Sequence, residues 1–168
     1  KKLANSLRML MSLRLSKKYP NASDYAATEF KNGLNANGGY FTSSSENFKV
    51  VYPKANYNNP WYALYDGRKD IGESATMTSL MASLNDDRQS GFGSSTKGVP
   101  YGLNRTDIEN WANSNTDWSR VFPDSLRPKD GTVVIVNAAQ VFLARAEAAD
   151  RGWTSESASA LYESGIKA

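Results

Sequence analysis

The sequence predicts a mostly α-helical protein, built of helical hairpins joined by long irregular loops. Three observations predict it. Apolar residues recur at helical spacing near the N-terminal end. An Ala-rich helical hairpin stands at the C-terminal end. Between them lie stretches rich in Gly, Pro, Asn and Ser that keep no sustained period.

Residues 2–18 read as the first helix, with Leu3, Leu7, Leu10, Met11 and Leu15 on one stripe. Met9 and Leu13 widen that face, and Pro20 closes the helix behind Lys17 and Lys18. Asn21 or Ser23 can cap a second helix to about residue 35, its apolar side carrying Tyr25, Phe30 and Leu34. Asn37-Gly38-Gly39 ends it. Residues 40–59 read as loop, with a strand-like fragment over 48–52 and an exposed polar tract over 42–45. Residues 60–74 are dense in turn formers and aromatics. A helix over 74–84 follows, with Met77, Leu80, Met81 and Leu84 on one side and Asn85-Asp86-Asp87-Arg88 as its stop.

Residues 90–102 are glycine-rich loop, 105–113 a helix of weak pattern, and 115–130 irregular. The next helix starts near residue 133 and runs to about 151, with Ala138, Phe142, Ala146, Ala149 and Trp153 along one face. Glu147 and Arg151 form an i, i+4 pair, and Gly152 suits the left-handed cap position. Thr154 can then cap a final helix in which Ala158, Leu161 and Tyr162 face inward. Any helical bundle could contain such a corner, and no clean 34-residue period is present.

At 168 residues the chain suffices for one domain, 1–168, with a real core. Its net charge is +3 and it has no dense Lys/Arg stripe, only short pairs such as Lys1-Lys2 and Lys17-Lys18, so no nucleic-acid partner is expected. Cysteine and histidine are absent, which excludes disulfides, thiolate nucleophiles, Cys/His zinc sites and any Ser-His-Asp triad within this chain. No cofactor and no metal are expected. The first residue is Lys1, already inside an apolar periodic segment, and two lysines oppose the positive end of the helix dipole. The chain therefore reads as an internal fragment of a longer protein.

Four segments, taken in order, resemble the SusD/RagB family of Bacteroidetes outer-membrane glycan-binding lipoproteins. They are LANSLRMLMSLRLS (3–16), NPWYALYDGRKDIGESATMTSLMASLNDDR (59–88), VPYGLNR (99–105), and AAQVFLARAEAADRGW with ALYESGI (138–153 and 160–166). The chain departs from the family pattern at Gln140, where Glu is common, and in the apolar run TVVIVN at 132–137. The resemblance implies tetratricopeptide-like helix pairs. It implies binding of oligosaccharides or polysaccharides without catalysis, and delivery to a SusC-like TonB-dependent outer-membrane transporter as partner. It also implies a cell-surface place on the outer membrane, through a lipid anchor outside this fragment.

Capture of a glycan needs aromatic faces for the C–H faces of the sugar and polar groups for its hydroxyls. The candidate ligand-binding residues are Trp111, Trp118, Trp61, Tyr62, Tyr101 and Asn113. Each aromatic has a second reading as packing. For Trp61, which sits in a shared motif, packing is favoured. Trp111 and Trp118 lie where the chain is least like a shared scaffold, and loops of that kind carry specificity. Trp153, at the hairpin corner, reads as structural.

Two alternatives stand beside glycan capture. One is a helical scaffold for protein partners. The other is a two-carboxylate glycosidase, for which Asp66, Asp70, Glu73, Asp86, Asp87, Asp107, Glu109 and Asp117 are candidates by type, with no spacing that singles out a pair.

Overall fold

In the computed structural model, which describes residues 1–68 and 70–168, the N-terminal segment folds as α1 (Lys2–Arg14) and continues as turns to Tyr19. Its buried face differs from the one its leucines predict. Ser6, Met9 and Ser12 are buried, whereas Leu7, Leu15 and above all Met11, at 67%, are exposed. The reason is close packing against α2 (Tyr25–Leu34), which buries Ala26, Ala27, Phe30 and Gly33. A Cβ at Gly33 would stand 2.8 Å from Met9 Cγ and 3.1 Å from Asn5 O, so only small side chains fit along this seam. Tyr25, expected on the apolar side, is exposed, and the N-cap is Asp24 rather than Asn21 or Ser23.

The Asn-Ser-Leu-Arg helix shows why its polar residues stand where they do. Asn5 Nδ2 donates to Gly39 O at 2.7 Å, Ser6 Oγ accepts from Phe41 N–H at 3.0 Å, and Arg8 Nε donates to Glu29 at 2.8 Å. The loop after α2, turned by Gly38 and Gly39 at positive φ, is thereby pinned along α1. Lys2 pairs with Glu46 in the 3-10 turn Ser44–Glu46, and Glu46 also accepts from Thr42 N–H at 2.7 Å. The tract 42–45 is exposed, as expected.

Strand β1 (Phe48–Val50) pairs with β2 (Val133–Val136) in a two-stranded sheet. The helix expected from residue 133 therefore begins later, as α7 (Ala138–Asp150). Four consecutive β-branched residues, Val133 to Val136, favour the strand. Asn137 then starts the helix with a reciprocal cap: its side chain accepts from Gln140 N–H at 2.7 Å, and Gln140 Oε1 accepts from Asn137 N–H at 3.0 Å. Gln140 thus completes this cap.

α7 buries Ala138, Val141, Ala144, Ala146 and Ala148, a wider surface than the single face predicted, because α1 and α8 (Ala158–Lys167) both pack on it. Gly152 takes φ +71° at the corner, and Arg151 reaches back to Glu147 at 2.7 Å, both as expected. The last helix is capped by Ser157, not Thr154, since Arg145 pairs with Glu156 and holds the preceding turn outside the helix. Leu161 faces inward and Tyr162 does not. Trp153 is buried against Phe30, edge to face at 6.1 Å, with its indole N–H donating to Pro20 O at 3.2 Å.

These elements make one compact unit, Lys1–Val50 with Val134–Ala168, and its core gathers Met9, Phe30, Phe41, Val136, Val141 and Trp153. Val51–Val133 makes a second unit. It holds α3 (Pro60–Ala63), α4 (Ala75–Ser83), α5 (Gln89–Phe92), α6 (Arg105–Ser114) and the 3-10 turn Asp124–Leu126. α4 matches the helix expected over 74–84 and is capped by Ser74, but it buries Thr78 and Met81 while Leu80 and Leu84 stay exposed. The short helices α3 and α5 fall in segments that read as turn and loop. The described residues are thus mostly helical, with a single two-stranded sheet, as the sequence predicts. None of their helices is long and apolar enough to cross a membrane.

Two outcomes test this packing. Gly33→Ala should lower stability by about 1–3 kcal/mol in urea melts, the usual cost of overpacking. Glu46, held at about 2 chiefly by Lys2 and then by the Thr42 N–H, has a carboxyl below its ordinary 4.5. Its contribution is complete above pH 4.5 and is lost as pH falls from there through about 2. Thermal melts should therefore show the Glu46→Gln variant losing less Tm than the unsubstituted chain across that window.

Candidate functional site

Three stretches of the second unit meet at Glu73. Glu73 N–H donates to Ser119 O at 2.9 Å, Val99 N–H to Glu73 O at 2.7 Å, Ala75 N–H to Val99 O at 2.8 Å, and Ser119 N–H to Lys97 O at 2.7 Å. The Glu73 carboxylate is buried, and its Oε2 accepts from Ser119 Oγ at 2.7 Å and Gln89 Nε2 at 2.9 Å. This network fixes the residues on either side of it, Gly72 and Trp118, and these carry the site.

Gly72 acts through its backbone and through its lack of a side chain. Its carbonyl accepts from the Tyr101 hydroxyl at 2.7 Å, and its N–H donates to the same oxygen at 3.2 Å. A Cβ at residue 72 would run into Val99 and stand 3.2 Å from the Trp118 ring. Tyr101 is thus 62% exposed yet held at the tip of its ring. Ordinary exposed tyrosines are free to rotate; this one is a fixed wall.

Tyr101, Trp111 and Trp118 line one cavity of about 260 Å³, together with Asp70, Val99, Leu103, Ile108 and Ala112. Trp111 reaches it from α6, whose start is fixed by Asn104, with Oδ1 accepting from Asp107 N–H at 3.0 Å. Trp118 is only 5% exposed, so it offers the cavity little of its ring, while the Arg120 guanidinium lies 5.0 Å from the ring centroid.

The other candidates stand elsewhere. Trp61 packs edge to face on Phe122 at 4.8 Å. Its backbone N–H donates to Asn59 Oδ1 at 2.7 Å, and the buried Asn59 ties α3 to the later loop by donating to Gly131 O at 2.8 Å. Tyr62 lines a second depression with Tyr65, Arg127 and Lys129, and the Lys129 ammonium sits 5.1 Å from its ring. Asn113, on α6, is exposed and lies outside the lining of the cavity. Sequence reading missed Gly72, Leu103, Ile108 and Ala112. The Gly72 signal was its place just before the N-cap of a helix; the aliphatic residues had none beyond their type.

Among the described residues the cavity meets one carboxylate, Asp70, and Arg68 pairs with it. Asp86 is gripped by Arg88 at 2.6 Å and held at about 2, and Lys97, at 2.7 Å, pulls Asp117 below the ordinary carboxylate range. Those shifts run opposite to what a general acid needs.

A family model described as "Starch-binding associating with outer membrane", a SusD-like family, matches residues 1–168. No curated protein matches the chain. Among solved structures, the chain is similar to a chitin-binding SusD homologue from Flavobacterium johnsoniae. The TM-score is 0.76 and the identity 30%, covering 99% of this chain and 34% of that one. A SusD homologue from Bacteroides vulgatus gives a TM-score of 0.68 at 27% identity, over 98% of this chain and 34% of the other. One from Bacteroides fragilis gives 0.70 at 24%, over 100% and 39%. The chain thus spans about a third of the length of these relatives.

Gly72→Ala should drive a methyl group into Val99 and the Trp118 ring. The expected cost is about 1–3 kcal/mol, read by denaturant melts. Near-UV circular dichroism should change with it, since Trp118 and Tyr101 both shift. An unchanged spectrum with unchanged stability would refute the wedge.

Proposed function

Since the chain belongs to the SusD-like family, we propose that the 260 Å³ cavity of its second unit binds a glycan without chemical conversion. The observation that carries this reading is the exposed but clamped ring of Tyr101 in one cavity with Trp111 and Trp118. A sugar ring laid on Tyr101 buries its C–H face against the aromatic surface. No freedom of the platform is lost on binding, because the hydroxyl is already held. Tyr101, Trp111 and Trp118 are the proposed contacts, and Asp70 is the acceptor for a hydroxyl at the rim. Trp61, Tyr62 and Asn113 are assigned no contact in that cavity. The chitin-binding relative, at 30% identity, supports a polysaccharide ligand. A glycosidase would need two carboxylates across the scissile bond, and Asp70 alone offers no such pair at this cavity.

For the whole protein the same reading proposes a place on the outer face of the outer membrane, through a lipid anchor. It also proposes delivery of the captured glycan to a SusC-like TonB-dependent transporter. The family description, which names association with the outer membrane, supports the location. Capture of a large β-barrel with the lipidated protein would support the partner. Recovery of soluble proteins alone would favour a general interaction scaffold.

Affinity electrophoresis against a polysaccharide panel tests the capture. One or more glycans should retard the chain, and Trp111→Ala should weaken that binding about tenfold, or about 1.4 kcal/mol. Equal retardation of both proteins would remove Trp111 from the site, and reducing ends released from the panel would replace capture with hydrolysis.

A further inference from the structure

The second depression of this unit, about 330 Å³, differs in character from the cavity at Tyr101. Tyr62 and Tyr65 line it with Arg120, Arg127 and Lys129, and Asp124 is the one carboxylate in that lining. Three cations and one carboxylate leave a local balance of +2, in a chain whose net charge is +3. Each cation is held before any ligand arrives. The Lys129 ammonium lies 5.1 Å from the centre of the Tyr62 ring, the Arg127 guanidinium 4.5 Å from that of Tyr65, and the Arg120 guanidinium 5.0 Å from Trp118. The backbone is pinned as well: Lys129 O accepts from Asn59 N–H at 2.8 Å, and Arg120 N–H donates to Ser94 Oγ at 2.9 Å. Arg127 is answered within the depression, where it pairs with Asp124 and donates from Nε to Phe122 O at 3.0 Å. Asp130, next to Lys129, is taken by Lys54 at 2.8 Å. Among the described residues, then, no carboxylate pairs with Arg120 or Lys129.

We propose that this depression is a second ligand site, for a sugar residue that carries an anionic group, a carboxylate or a sulfate ester. That the anion is carried by a sugar rests on the glycan-binding reading above; that the depression takes an anion does not. The anionic oxygens meet Arg120 and Lys129, and charge-assisted hydrogen bonds of this kind are the strong ones. The Tyr65 hydroxyl accepts from Val121 N–H at 2.9 Å, and its own proton has no acceptor among the described residues, so it adds a donor. The C–H face of the sugar lies on the half-buried Tyr62. Tyr62 and Trp118 already hold the two cationic side chains, so little rotamer freedom is lost on binding. Two unanswered cations suit one anionic group per sugar residue. A nucleic-acid backbone would want a longer basic track, which the chain lacks.

Calorimetry at low salt with two matched pairs tests this: tetragalacturonate against its methyl ester, and 6-O-sulfated cellotetraose against cellotetraose. The charged member of at least one pair should bind at least tenfold more tightly than its neutral partner, and the pair that shows it tells carboxylate from sulfate. Lys129→Gln, at an exposed residue, and Arg120→Gln should each narrow that ratio at least threefold, while Lys129→Arg keeps it. Lys17→Gln, at an exposed lysine of the first unit, should leave it unchanged. Equal binding within both pairs would overturn the anion site, and so would a preference that Lys129→Gln leaves intact. Inorganic sulfate or acetate matching the charged sugar in affinity would overturn the sugar as carrier. If the polysaccharide panel still retards the chain, each of those failures leaves capture at the Tyr101 cavity standing. A charged sugar bound with no retardation by any neutral polysaccharide would keep this site and overturn that one.

Discussion

The hydrogen-bonded meeting of three chain segments at Glu73 is the constraint on which the second unit depends. Residues 72–75, 97–99 and 119–120 come from distant parts of the sequence, and α4, α5 and α6 are short. None of those helices buries a long apolar face. What holds the segments together is the pairing of backbone polar groups that would otherwise be buried unpaired. The Glu73 side chain adds to this, its Oε2 accepting from the Ser119 hydroxyl and the Gln89 amide. Once those segments are fixed, the positions of Gly72 and Trp118 follow.

The first unit is held in a different way. Its helices approach closely because their facing surfaces are small: Ser6 and Ser12 on α1, Ala26, Ala27 and Gly33 on α2, and alanines on two sides of α7. Larger residues fill the gaps between helices, with Phe30 and Trp153 at the centre. Polar side chains of α1 then pin the neighbouring loop through Asn5 and Ser6. The division of labour is consistent with the proposed function: one unit is tightly packed helix pairs, the other is short helices and loops disciplined by hydrogen bonds, and the cavity lies between α6 and the loops of that second unit.

Much of this was legible in the sequence, for reasons that differ by element. α4 was readable because Met77, Leu80, Met81 and Leu84 recur at helical spacing and Asn85-Asp86-Asp87-Arg88 stops the run. The corner at Gly152 was readable because a left-handed residue after an amphipathic run has few substitutes. The start of α7 was misplaced because Val133 to Val136 suit a helix core and a strand alike, and pairing with β1, some eighty residues earlier, decides between them. The buried face of α1 was misassigned for a related reason. Leucines at helical spacing define a stripe, but which stripe is covered depends on the partner, and α2 offers alanine and glycine to the serine side.

By itself the sequence determined the helical class, the corner at Gly152, the family likeness, and the absence of cysteine and histidine chemistry. These follow from residue type and short-range spacing, which act over a few residues. Tertiary structure alone decided that Tyr101 is a clamped platform, that Trp118 is almost wholly covered, and that Trp61 is occupied by Phe122. It decided, too, that Gly72 must lack a side chain. Each of those depends on a partner 27 to 61 positions away in the chain, and no local pattern encodes the distance between two residues that meet only when the loops close.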